Sequence, residues 1–233
     1  MTPSSFFSIY PHIYSKLPYR PDQDVTPVSL LAFTNFGLAI GPQVPAGVAT
    51  LKQFLAWCKA NPDKATYGSP ASGSIAHMIL AAIAKLNGVE LRHVPYRGSV
   101  PGLQDLRGGQ IAAMSSPIGA LMPHLGPVRV LAVSGTERSS LLPNVPTYRE
   151  QGQPITGREW YGMFLPGGAK PGIVTRAAAY LKIALANKDV IDGARQLGLE
   201  VATSTPQELR AMIEADSVEW RGLIKKIGFT ADS

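Results

Sequence analysis

A chain of 233 residues with 45% hydrophobic and only 16% charged residues can bury a real core and lies far from the compositions that stay disordered. Its net charge of +6 comes from 22 basic residues scattered along the chain, which disfavours a nucleic-acid reader and leaves a mild bias toward anionic ligands or plain solubilising charge. Cys58 is the single cysteine, so no internal disulfide forms, and neither it nor the four histidines fall at metal-ligand spacing; no metal and no other cofactor is expected.

The start, MTPSSFFSIYPHIYS, has neither a basic n-region nor an apolar h-region, and no apolar stretch reaches bilayer length, so the chain as written carries no export signal. Residues 1–41 offer one clear strand, the run LLAFTNFGLAI, which makes a first lobe built from them look underbuilt. The proline-rich GPQVPAG that follows suits a crossing between lobes. Next, Thr50 caps a helix carrying Leu51, Phe54, Leu55 and Cys58 toward the core, and Asn61-Pro62 ends it.

From Lys64 onward, short apolar runs alternate with helical periodicity. KATYGS reads as a strand, Ile75 to Leu86 as a helix and VELRHVPY as a strand. Val100 to Arg107 reads as a helix, QIAAMSS as a strand, Ile118 to Leu125 as a helix and VRVLAVSG as a strand. Such alternation predicts a mostly parallel sheet covered on both faces. In the first of these helices Ile75, Met78, Ile79, Ala82, Ile83 and Leu86 share a face, Ser74 is placed as N-cap and Asn87-Gly88 as the left-handed stop. A second crossing segment is WYGMFLPGGAKPG. After it Thr205, Pro206 and Glu208 spell a capping box ahead of a helix whose apolar face, Leu209 to Ile227, is interrupted only by Asp216.

In an open parallel sheet a ligand site lies beyond the carboxyl ends of the strands. The four handovers from strand to helix read GSPASGS, PYRGS, SSP and SGTERSS, all rich in serine or glycine. Small residues let main-chain amides approach a ligand, hydroxyls add uncharged donors, and the free amides of a helix start favour an anion; a carboxylate fits. Turn and cap chemistry explains any one such loop equally well. Arg97, in PYRGS, stands beside two of these donors and suits a carboxylate, His77 sits in a first helical turn as a base, a donor or a structural histidine, and Tyr96 and Trp160 are candidate pocket walls. No nucleophile elbow, dinucleotide loop, P-loop or paired carboxylates occur; Asp105, Glu137 and Glu150 belong to no motif. Binding without chemistry is the simpler reading.

The stretches YGSPASGSIAHM, GVELRHVPYRGSVPGLQDLRGGQI, VRVLAVSGTERSSLLPNVPTYREQG and WYGMFLPGGAKPGIV, taken in order with the upstream YPHIYSKLPYRPDQDVTPVSLLA, resemble the tripartite tricarboxylate transporter substrate-binding proteins, the TctC or Bug family. The resemblance implies a type II periplasmic-binding-protein-like α/β fold of two lobes with an incomplete first lobe. Residues 1–41 would form part of that lobe, 42–159 the second lobe, and 160–233 the return crossing and the C-terminal helices. It further implies hinge closure on a small organic anion, whether a di- or tricarboxylate, an aromatic carboxylate or an acidic amino acid. Delivery to membrane permease subunits, a periplasmic location and a monomeric state follow from the same resemblance. The family's carboxylate-holding turn carries over to Gly68, Ser69, Gly73, Ser74 and His77. Its VPYKG stretch carries over to Pro95, Tyr96, Arg97 and Gly98, with arginine in place of the usual lysine. Ala112 stands where relatives have an acidic residue, and the family's export signal, first strand and glycine-rich loop have no counterpart in this sequence. Two other readings are a sensory module of the same fold that has lost transport, and a hydrolase using Ser69 or Ser74 with His77.

Overall fold

The computed structural model describes residues 1–230. They divide into two compact units, one of residues 1–34 and 159–230, the other of residues 35–158.

In the first unit β1 (Thr2–Pro3) pairs antiparallel with β7 (Arg158–Pro166), which lies beside β2 (Val25–Ile40); β2 in turn pairs with the short β8 (Glu200–Val201). The helices are α1 (Ser5–Ser8), α2 (Tyr10–Ile13), α7 (Pro171–Leu185), α8 (Lys188–Gln196) and α9 (Pro206–Ile227). Phe7, Leu30, Trp160 and Leu209 form the core, with Phe7 stacked on Phe164 at 4.5 Å between ring centroids. Trp160, read from the sequence as a pocket wall, is instead 2% exposed in this core, and its indole N–H donates to Asp216, which accounts for the one polar break in the α9 face. The predicted capping box is present: Thr205 accepts from the Glu208 amide at 3.1 Å, and Glu208 reaches back to the Thr205 amide at 2.7 Å. Glu159 is buried and accepts from the Ser4 hydroxyl and from the Ser5 amide and hydroxyl, fastening the start of the chain to β7.

The second unit is a sheet ordered β6 (Arg129–Val133), β2, β5 (Ala113–Pro117), β3 (Thr66–Ser69), β4 (Arg92–Pro95). β3 is parallel to β4 and β5, as the βα alternation predicts, but β2 runs antiparallel to both β5 and β6 and separates them. The four strands β3 to β6 therefore share one direction, and their carboxyl ends lie along one edge. α3 (Leu51–Ala60) opens with a Thr50/Gln53 capping box and buries Cys58. α4 (Ile75–Leu86) buries nine residues, among them Ile75, Met78, Ile79, Leu80 and Ile83. At about 1.5–3 kcal/mol for each large side chain, that burial anchors the helix to the sheet. Leu86, expected on the buried face, is 41% exposed because it falls in the last turn, just before the Gly88 stop at φ 57°. α5 (Ser99–Arg107) covers the other face, packing Leu103 and Leu106 on Met114 and Ala39. α6 (Ile118–Leu121) continues into a 3-10 turn, Met122–His124.

The division between the two units falls inside β2, between Thr34 and Asn35, ahead of the proline-rich GPQVPAG. That segment is tied down within the second unit by Arg129, whose guanidinium donates to the carbonyls of Val44, Pro45, Ala46 and Val48 at 2.7–3.1 Å. The return falls between Arg158 and Glu159, two residues before Tyr161, so WYGMFLP is a strand of the first unit.

Candidate functional site

The candidate site is the shared carboxyl edge of β3, β4 and β5 in the second unit. Two main-chain hydrogen bonds make it one structure: the Tyr96 amide donates to Ser69 O at 3.0 Å and the Gly98 amide to Pro70 O at 2.9 Å. They lock the loop before α4 to the loop before α5, so that two helix starts stand side by side.

Within the first loop the hydroxyls are already engaged. Ser69 Oγ donates to Ala71 O at 2.9 Å and lies 2.8 Å from His93 Nε2. With its one proton directed at Ala71, Ser69 accepts from His93, which fixes the Nε2-protonated form of that ring. Ser74 Oγ donates to the same carbonyl at 2.8 Å and accepts from the His77 amide at 3.2 Å, as its predicted N-cap role requires. His77 Nδ1 accepts from the Gly73 amide at 3.0 Å. Gly73, at φ 71°, makes the left-handed turn that delivers this amide.

His77 and His93 stack with ring centroids 3.6 Å apart. Burial and the neighbouring His93 hold His77 down to about 3, and burial holds His93 down to about 4, so both rings are neutral at physiological pH. Sequence reasoning missed His93; its one signal was its place two residues before Pro95, on the same face of β4 as the strand's end.

The second loop is less engaged. Gly98, with φ 100°, is the N-cap of α5 and has no side chain to satisfy the first-turn amides. Arg97 is exposed, and Gly98 and Ser99 are half-buried, as are Ala71 and Ser72 of the neighbouring loop, whereas Ile75 and Ala76 at the start of α4 are fully buried. The reachable donors thus cluster at Ser72 and Arg97–Ser99, while Gly73, Ser74 and His77 shape the loop behind them. Gly68 and Tyr96 do not join the cluster. A Cβ on Gly68 would stand 2.7 Å from Tyr96 Cε2 and from Met114 Sδ, and the Tyr96 hydroxyl donates to Asp105 at 2.8 Å; both belong to the packing of α5 on the sheet.

Two further serines of β5 lie at this edge. Ser116 donates to Ser99 Oγ at 2.8 Å, binding the third handover to the second. Ser115 is fully buried, and its hydroxyl has no hydrogen-bond partner among the described residues. At the fourth handover Ser134 Oγ donates to Gly157 O at 2.5 Å and accepts from the Phe36 amide at 2.9 Å, closing β6 onto β2. No group of three or more metal-ligating side chains occurs among the described residues.

The chain matches the family model described as tripartite tricarboxylate transporter family receptor over residues 1–229, and it belongs to that family. Among curated relatives it is 29% identical to Protein BugT of Bordetella pertussis, covering 91% of this chain and 65% of that one. It is 32% identical to a protein from the tcbD–tcbE intergenic region of Pseudomonas sp. strain P51, covering 94% of this chain and 66% of the relative. The chain thus spans about two-thirds of the length of these relatives. Among solved structures it superposes on an R. palustris protein, Rpa4515 with adipate, with a TM-score of 0.90 at 26% identity, covering 98% of this chain and 77% of that chain. MatC from Rhodopseudomonas palustris with bound malate gives a TM-score of 0.85 at 28% identity, covering 95% and 77%. A third neighbour is the periplasmic binding protein BugD, at a TM-score of 0.89. The fold is that of the α/β periplasmic binding proteins.

Proposed function

We propose that this chain is a non-enzymatic, monomeric receptor that captures a small organic carboxylate outside the cytoplasm and delivers it to the permease subunits of a tripartite tricarboxylate-type transporter. The observation that carries the reading is the pairing of the α4 and α5 starts through Ser69–Tyr96 and Pro70–Gly98, which leaves the Arg97–Ser99 turn uncapped and in reach of solvent.

A helix start alone stabilises an anion by about 0.3–1 kcal/mol, whereas each hydrogen bond to a charged group contributes about 1.5–3 kcal/mol. Several amides and hydroxyls acting with Arg97 are therefore needed to approach the ~8 kcal/mol of a micromolar ligand, before ordering costs are subtracted. The arginine adds a planar fork that matches one carboxylate. Malate and adipate, which two neighbours hold, each have two carboxylates, so dicarboxylates head the candidate ligands, ahead of aromatic carboxylates and acidic amino acids.

The hydrogen-bond directions at Ser69 and Ser74 favour this reading over a hydrolase. A serine nucleophile must donate to its base, but Ser69 and Ser74 both donate to Ala71 O, and His77 Nδ1 is occupied by the Gly73 amide. Calorimetric titration with a panel of dicarboxylates tests the proposal. A saturable response to at least one member, weakened about tenfold or more by Arg97→Gln, is the expected outcome. A flat response from folded protein across the whole panel contradicts it.

A further inference from the structure

The Ala71 carbonyl is held by two hydroxyls. Ser69 Oγ donates to it at 2.9 Å and Ser74 Oγ at 2.8 Å, and the Ser74 amide approaches it at 3.4 Å across the turn that Gly73 makes. Two such donors fill both lone pairs of a carbonyl oxygen. No cis peptide occurs among the described residues, so the Ala71–Ser72 unit is trans, and its N–H points opposite to its C=O. With the carbonyl drawn toward the fully buried Ser69, the Ser72 amide is turned the other way. Ser72 is half-buried, and its amide has no hydrogen-bond partner among the described residues, whereas the next amide, that of Gly73, is taken by His77 Nδ1.

His93 decides the direction of this arrangement. Ser69 has one proton, and if His93 Nε2 accepted it, Ser69 and Ala71 would meet oxygen to oxygen at 2.9 Å with no proton between them. His93 must donate instead. Its ring is kept in place by the parallel pairing of Tyr67 with His93, by the stack on His77 at 3.6 Å and by Tyr67 at 5.0 Å between centroids. A hydroxyl that accepts an N–H also donates more strongly, because each bond in a chain polarises the next. We propose that His93 is a positioning residue for carboxylate capture: by keeping the Ser69 proton on the Ala71 carbonyl, it holds the Ser72 amide outward as a preorganised donor to a ligand carboxylate oxygen. The inference rests on the capture reading and adds to it that a side chain acting through Ser69 sets the affinity. The gain is preorganisation, since a peptide already turned outward is not reoriented when the anion arrives.

The test compares the 233-residue chain with its His93→Leu, Ser69→Ala and His93→Gln variants. The Ser72 amide is followed by NMR without ligand, and affinity for a dicarboxylate panel containing malate and adipate is measured by calorimetry. In the parent chain the Ser72 amide should exchange rapidly with water and the Gly73 amide slowly. His93→Leu should shift or split the Ser72 signal and weaken binding about tenfold or more. Ser69→Ala breaks the same link by a smaller change and should do likewise, so the test stands even where leucine at position 93 unfolds the chain. His93→Gln, which keeps an N–H for Ser69, should restore both readouts. Thr50→Ala removes the α3 cap and should lower the unfolding midpoint with both readouts unchanged, whereas a merely structural role for His93 would make affinity follow the midpoint. A Ser72 signal and an affinity unmoved by Ser69→Ala and by folded His93→Leu overturn the inference and leave capture standing. Failure of the parent chain to bind any member of the panel overturns capture and this role with it, even where the unliganded Ser72 signal responds, so the two failures are told apart.

Discussion

His77 and His93 sit ring on ring behind the candidate site, each engaged through a nitrogen, and burial keeps both neutral. In the unfolded chain they take up protons near pH 6.5, and in the folded chain only near 3 and 4. Their contribution to stability is therefore complete above pH 6.5 and is lost as the pH falls from there toward 4 and 3. Each withheld proton costs about 1.4 kcal/mol per pH unit in that window. Glu159 acts the other way: burial raises its carboxyl, so its share favours the fold on acidification. Urea midpoints measured from pH 7.5 to 4.5 should fall, and His93→Gln, which keeps a donor for Ser69, should flatten the fall; a midpoint constant over this range would contradict the neutral pair. Gly68→Ala is a second residue-level test. Its Cβ would meet Met114 and Tyr96 at 2.7 Å, and overpacking of this kind costs about 1–3 kcal/mol, read as a lowered unfolding midpoint. The caps at Ser74, Thr50 and Thr205 were legible in the sequence because a cap is a bond over three residues. The engagement of Ser69 by His93 was not, because those residues are 24 apart and meet only through strand pairing.

At the level of elements, the alternation of strands and helices from Lys64 onward announced β3, β4 and β5 and the helices between them, since the two periodicities are local. The insertion of β2 between β5 and β6 is set by pairings of 73 to 96 residues' separation in sequence, such as Leu38 with Ser115 and Gly37 with Val133, and no local pattern encodes it. Its consequence is functional, because an antiparallel β2 leaves the other four strands pointing to one edge. The proline-rich GPQVPAG has the composition of a linker, yet three of its carbonyls, those of Val44, Pro45 and Ala46, are gathered together with that of Val48 by Arg129, some 80 residues away, which no local pattern encodes. Removing the Ser74 hydroxyl in Ser74→Ala should cost about 0.5–2 kcal/mol, since it deletes the cap of the His77 amide and the bond to Ala71 O. Chemical denaturation reads this directly. An undiminished midpoint would mean that the α4 start is held by packing of Ile75 and Ile79 alone.

Over the whole molecule, the net charge of +6 and the absence of clustered basic runs agree with small anionic ligands and set up an ionic-strength dependence. Raising salt should weaken carboxylate binding, because Arg97 is exposed and screened within a Debye length of about 8–10 Å. The family was legible from stretches spread over nearly the whole chain, GSPASGS and PYRGS among them, and the family model matches residues 1–229. The division of labour inside the site was not. Its serines largely build the loops, and the donors that solvent reaches belong to Ser72 and the start of α5. Backbone amide NMR of the 233-residue chain, titrated with malate and with adipate, tests this most directly. Saturable shifts concentrated at Ser72, Arg97, Gly98, Ser99 and Val100 are predicted. Shifts confined to other edges of the sheet, or none at all at saturating carboxylate, would contradict it.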